Sequence, residues 1–128
     1  MEHFPYICIQ IVVKMEIKPR FKVILSKRVT DFLDSLSKKI RDKILYNVAK
    51  SRSVIDPELF KKLDDDIWEF RTLYGNMHYR LLAFWDNDGQ TLVITTHGFI
   101  KKTGKTPKKE IDKAIEIRTL YYNSKKWK

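Results

Sequence analysis

Two arginines set face to face by a hairpin are the first residues in this chain with chemistry in them. Ile67 to Tyr74 alternates apolar and polar residues, Gly75-Asn76 follows, and Met77 to Leu82 resumes the alternation. Gly-Asn between two such runs is a two-residue hairpin turn. It pairs Tyr74 with Met77, and three steps on it sets Arg71 against Arg80. Like charges directly opposite one another destabilise a sheet. Such a pair therefore points to an anion between the guanidinium groups, with phosphate the first candidate.

The next strand and the loop after it extend the cationic array. A second turn at Asp88-Gly89 places His97 opposite Arg80, making one row of Arg71, Arg80 and His97. A four-residue loop from Asp86 to Gly89 puts Thr95 there instead. Past the strand, Lys101, Lys102 and Lys105 lie in a short basic loop, and Lys108 and Lys109 come after Pro107. Cleaving an RNA phosphodiester needs a base for the 2′-hydroxyl, cations for the pentavalent phosphate and an acid for the leaving 5′-oxygen. Arg71 and Arg80 suit the phosphate. His97, or Lys101 and Lys102, suit the proton transfers, and Lys105, Lys108 and Lys109 suit RNA contacts.

Each residue also has a plainer reading. Glu69 stands one diagonal step from Arg80, so either arginine could form a surface ion pair with it. His97 could be a satisfied strand histidine, and the lysines a solvated loop. His78, near the turn, reads as incidental. Thr103-Gly104-Lys105-Thr106 is not a phosphate-binding P-loop, because the first glycine of that motif would fall at position 99, which is Phe99. No metal or cofactor is expected. Asp64-Asp65-Asp66 do not converge and lack calcium-loop spacing, and the one cysteine, Cys8, supports neither a disulfide nor a thiolate cluster.

The elements that must position these residues are legible around them. Phe21 to Leu25 reads as a first strand. From Thr30-Asp31 to about Ala49, Phe32, Leu33, Leu36, Ile40, Ile44, Leu45 and Val48 recur at helical spacing. The opposite face of that helix carries Lys38, Lys39, Arg41, Lys43 and Lys50. Pro57 to Phe60 suits the first turn of a short helix. The meander comes next, with the Trp68/Phe70 side facing the core, and Pro107 opens a last helix with Ile111, Ala114, Ile115, Arg118 and Leu120 to Tyr122 on its inner face. The expected architecture is α+β: an antiparallel sheet meander packed by N-terminal and C-terminal helices.

At 128 residues the chain fits one domain, 1–128. Residues 1–14, before Met15, read as an extra strand or an upstream extension. The formal net charge of +10 favours polyanionic partners. No apolar run approaches the ~20 residues of a membrane span, and Phe4 to Val13 lacks the flanks of a signal peptide. A cytoplasmic location is expected.

The order Trp68-Glu69-Phe70-Arg71, Tyr79-Arg80-Leu81, then His97-Gly98-Phe99-Ile100-Lys101-Lys102-Thr103-Gly104-Lys105-Thr106-Pro107 resembles the RelE/ParE toxin superfamily, in its phage-derived HigB-like branch. The resemblance implies a RelE-like fold and the toxin of a type II toxin–antitoxin system. It implies metal-free, ribosome-dependent cleavage of mRNA, with mRNA and ribosome as targets. A helix-turn-helix antitoxin would be the partner, and operator DNA would be reached only through it. By position, Arg71 and Arg80 match family arginines that hold phosphate, and Lys101 and Lys102 match the basic segment closing the site. Ile67 and Glu69 stand where the best-known RelE site has lysines, so the general base does not carry over. The alternative within the superfamily is a non-catalytic, ParE-like inhibitor of DNA gyrase.

Overall fold

A computed structural model describes residues 19–86 and 91–125. The proposed extension 1–14 and the Asp88-Gly89 turn lie outside the described residues. The elements are β1 (Lys22–Ile24), α1 (Lys27–Asp34), α2 (Lys38–Ser51), β2 (Phe60–Lys62), β3 (Trp68–Tyr74), β4 (Met77–Trp85), β5 (Leu92–Lys101) and α3 (Lys108–Lys125). Five strands form one sheet in the order β1-β5-β4-β3-β2. β3, β4 and β5 form the expected antiparallel meander; β2 adds a further antiparallel strand beside β3, and β1 joins β5 in parallel.

Serines divide the long helix anticipated from Thr30. Ser26 caps α1 by accepting from the Val29 N–H, so this helix begins three residues before Thr30. Ser37 caps α2 by accepting from the Ile40 N–H. Between them the Ser35 hydroxyl donates to the Phe32 carbonyl at 2.6 Å. Serine competes for backbone groups in this way, which favours helix ends over interiors.

Pro57 to Phe60 does not become a helix. Asp56 holds a single β-turn: its carboxylate accepts from Glu58 N–H at 2.9 Å, and its carbonyl from Leu59 N–H at 2.9 Å. Phe60 is then claimed by β3, where it pairs with Phe70 and stacks on it at 4.3 Å between ring centroids.

Both faces of the sheet are covered, not the Trp68/Phe70 side alone. On that side Val29, Leu33, Ile44 and Val48 of α1 and α2 meet Phe60, Phe70, Leu81 and Val93. On the other, α3 presents Ile111, Ala114, Tyr121 and Tyr122 to Ile67, Leu82, Phe84 and Ile94. Ile115 and Leu120, expected on its inner face, are exposed. No described helix is long and apolar enough to cross a membrane.

Candidate functional site

The β3–β4 hairpin has the expected register. Gly75 and Asn76 have φ of 56° and 64°, the paired positive values of a type I′ turn. Tyr74 pairs with Met77, Phe70 with Leu81 and Arg71 with Arg80.

The third strand departs from both expected registers. Arg80 stands opposite Phe99, and neither His97 nor Thr95 takes that place. Leu81 pairs with Gly98 but Ala83 with Thr95, so Leu82 on β4 opposes both Thr96 and His97 on β5. This is a β-bulge, which adds a residue to one strand and re-aims the side chains beyond it. The row containing the arginines is therefore Arg71–Arg80–Phe99. The next row on the same face, two residues nearer the turn, runs Leu73–His78–Lys101. His78 and Arg80 are two apart on one strand and share a face.

Arg80 is only 2% exposed. Its Nη1 donates to Glu69 Oε2 at 2.8 Å, and its Nη2 donates to the Gly104 carbonyl at 2.9 Å. Nη2 also lies 3.1 Å from His78 Nδ1. Guanidinium nitrogens only donate, so His78 Nδ1 accepts and its proton sits on Nε2. The other Glu69 oxygen accepts from the Thr106 hydroxyl at 2.5 Å. The Glu69–Arg80 pair is thus buried, unlike the surface ion pair that the sequence allowed, and it ties the lysine loop to the sheet. Burial pulls Arg80 below the ordinary arginine range, Glu69 pulls it back and Arg71 opposes Glu69.

Arg71 is the accessible member, with a side chain 22% exposed. Its Nε lies 3.4 Å from Glu69 Oε2, and its Nη1 donates to the Pro57 carbonyl at 3.3 Å. One carboxylate, Glu69, therefore serves both guanidinium groups. The Nε atoms of Arg71 and Arg80 are both buried without a hydrogen-bond partner among the described residues. Beside them opens a cleft of about 70 Å³ lined by Glu58, Arg71, Thr72, Leu73, His78 and Arg80. That volume suits a phosphate-sized group and is too small for a whole nucleotide. Lys101 is half-buried, whereas Lys102, Lys105, Lys108 and Lys109 are exposed on the loop and the first turn of α3. Lys108 pairs with Asp112 at 3.0 Å.

His97 is not brought to the arginines. It is buried, with Nε2 3.0 Å from Glu110 Oε1 on α3 and Nδ1 3.0 Å from Thr96 Oγ1. Burial lowers its pKa below 6.5, and the Glu110 hydrogen bond opposes that shift. A neutral imidazole donates from Nε2 to Glu110, while its Nδ1 shares the single Thr96 O–H donor with the Leu82 carbonyl. The unfolded chain binds the proton more readily, so stability is full above pH 6.5 and falls as pH drops toward the folded-state pKa. Urea midpoints measured from pH 7 to pH 5 are expected to fall, by at most about 1.4 kcal/mol per pH unit from this residue, and His97→Gln is expected to remove that component.

His78 is the residue that sequence reasoning set aside. Its shared face with Arg80 was readable from the two-residue spacing, but its pairing with Lys101 depends on the bulge. Among the described residues, no group of three or more His, Cys, Asp or Glu side chains is placed to hold a metal.

The profile of a family described as "Phage derived protein Gp49-like (DUF891)" matches residues 31–119. No curated protein matches the chain. Among solved structures, the chain is similar to one in the toxin–antitoxin complex RelBE2 from Mycobacterium tuberculosis, with 18% identity and a TM-score of 0.52 over 69% of this chain and 100% of that one. It is also similar to an arginine-to-alanine double mutant of the Escherichia coli toxin RelE in the free state, with 16% identity and a TM-score of 0.49 over 76% of this chain and 96% of that one. The profile spans more than two thirds of the chain, and the chain belongs to the phage-derived Gp49-like family, a RelE/HigB-like branch of the RelE/ParE superfamily.

Proposed function

We propose that this protein is the toxin of a type II toxin–antitoxin pair and that it cleaves mRNA on the ribosome. The observation that carries the reading is the pair of arginines lining a phosphate-sized cleft, with Lys101 on the next row of the same face. Arg71 binds the scissile phosphate directly. Arg80, tied to Glu69 and Gly104, sets the position of Arg71 and of the loop. Lys101 and Lys102 supply further positive charge where the transition state gathers negative charge. His78 donates from Nε2 to a phosphate oxygen, and His97 acts from behind by anchoring α3 to β5. Lys105, Lys108 and Lys109 hold the RNA backbone.

A small helix-turn-helix antitoxin in the cytoplasm is the proposed partner, with operator DNA bound only through it. The antitoxin reading is supported by family membership and by the toxin–antitoxin neighbour.

Purified protein added to translating ribosomes should produce new mRNA 5′ ends at codons in the decoding site. Growth arrest with intact message would overturn this reading. Arg71→Ala is expected to slow cleavage about 10²–10³-fold, the usual loss when one transition-state donor is removed. Because Arg71 is partly exposed, its melting temperature should stay near wild type.

A further inference from the structure

We infer that Glu58 is a catalytic residue: it is the general base that takes the proton from the attacking 2′-hydroxyl. This rests on the proposed cleavage of mRNA and supplies the base that the family resemblance did not transfer.

The cleft has two carboxylates within reach, Glu58 and Glu69. Glu69 cannot serve, since it is buried and both its oxygens are engaged, one by Arg80 and one by Thr106. Glu58 lines the same cleft with Arg71, His78 and Arg80, is exposed, and forms no ion pair among the described residues. A base must be accessible, unprotonated and fixed within reach of its proton.

Its placement is built rather than incidental. Asp56 closes the turn around Pro57 and Glu58 with its carboxylate on Glu58 N–H. The turn is then pinned to β3 twice at one residue: Arg71 N–H donates to the Leu59 carbonyl at 2.8 Å, and Arg71 Nη1 to the Pro57 carbonyl. The residue that grips the phosphate thus also grips the turn that carries the base. Proline at the second position of the turn restricts the backbone further. Glu58 also helps to hold the charge on Arg80.

In the cleavage step, the Glu58 carboxylate removes the 2′-hydroxyl proton as the 2′-oxygen bonds to phosphorus. The bond from phosphorus to the 5′-oxygen breaks, and that oxygen takes a proton from the Lys101 ammonium. The products are a 2′,3′-cyclic phosphate and a 5′-hydroxyl. Glu58 then releases its proton to water, and Lys101 recovers one.

The test compares wild type, Glu58→Gln and Glu58→Asp on translating ribosomes, with mRNA ends mapped and cleavage rates measured. Glu58→Gln is expected to lose about 10²–10⁴-fold in rate and to keep wild-type ribosome binding and melting temperature. Glu58→Asp, which keeps the carboxylate, should cleave at an intermediate rate. Glu58→Gln cleaving within about threefold of wild type, or losing ribosome binding in step with rate, overturns the assignment while leaving the cleavage reading intact. Wild-type protein that leaves the message whole overturns both.

Discussion

Glu69→Ala is expected to cost about 3–5 kcal/mol of folding stability, the loss typical when one partner of a buried ion pair is removed. Arg80 would keep its full charge at 2% exposure with only the Gly104 carbonyl and His78 as polar partners. The Thr106 hydroxyl would lose its acceptor as well. Urea denaturation should show a lower midpoint with little change in slope. Removing both charges together, as Glu69→Leu with Arg80→Met, should recover most of the loss, because the desolvation cost disappears with the attraction. A loss below about 1 kcal/mol in the single variant would mean that solvent screens the pair, as it does on surfaces. Toxicity assays inherit this distinction. Arg80→Ala removes a structural tie, so inactivity in that variant says little about chemistry, whereas Arg71→Ala and Glu58→Gln leave the fold standing.

Gly98→Ala is the second large effect expected. A Cβ at Gly98 would lie 2.7 Å from Phe32 Cε2 and 2.9 Å from Leu81 Cδ2, with Phe32 Cδ2 closer still. Packing of this kind leaves no room for a methyl group, and overpacking costs about 1–3 kcal/mol. The cause is space rather than a left-handed backbone. A thermal melt should show a drop of several degrees for a domain of this size. Shrinking the ring with Phe32→Leu should rescue part of it, a coupling that a double-mutant cycle would read. Unchanged melting would mean that α1 slides outward at little cost.

The hairpin was legible because Gly75-Asn76 defines its own register, and every pair from Tyr74–Met77 back to Phe70–Leu81 comes by counting. The third strand was not legible for two reasons: Trp85 pairs with Val93, already one residue off the register of an Asp88-Gly89 turn, and the extra residue at Thr96-His97 shifts every later pair by one more without a mark in the alternation. That is why His97 was expected beside Arg80 and why His78 and Lys101 were not paired. The split between α1 and α2 was written in Ser35 and Ser37, whose side chains act on the backbone while the apolar spacing runs on through Leu36. The second core was hidden for a different reason. Leu82 and Phe84 alternate with Leu81 and Ala83, so β4 is apolar on both faces and its pattern does not say which side is covered. Glu58 was invisible as a site residue because its position depends on a turn pinned from β3.

The parallel pairing of β1 with β5 sets a timetable for synthesis. Lys22 pairs with Leu92, and Ser26 N–H donates to Thr95 Oγ1, so the first described strand waits 70 residues for its neighbour. At about 5–20 residues per second, that wait is roughly 4–14 s. The lysine loop is tied to Glu69 and Arg80 later still, since Gly104, Thr106 and the whole of α3 come after β5. The candidate site therefore cannot be complete while the N-terminal half of the chain is being made: it waits for β5, for Thr106 and for α3.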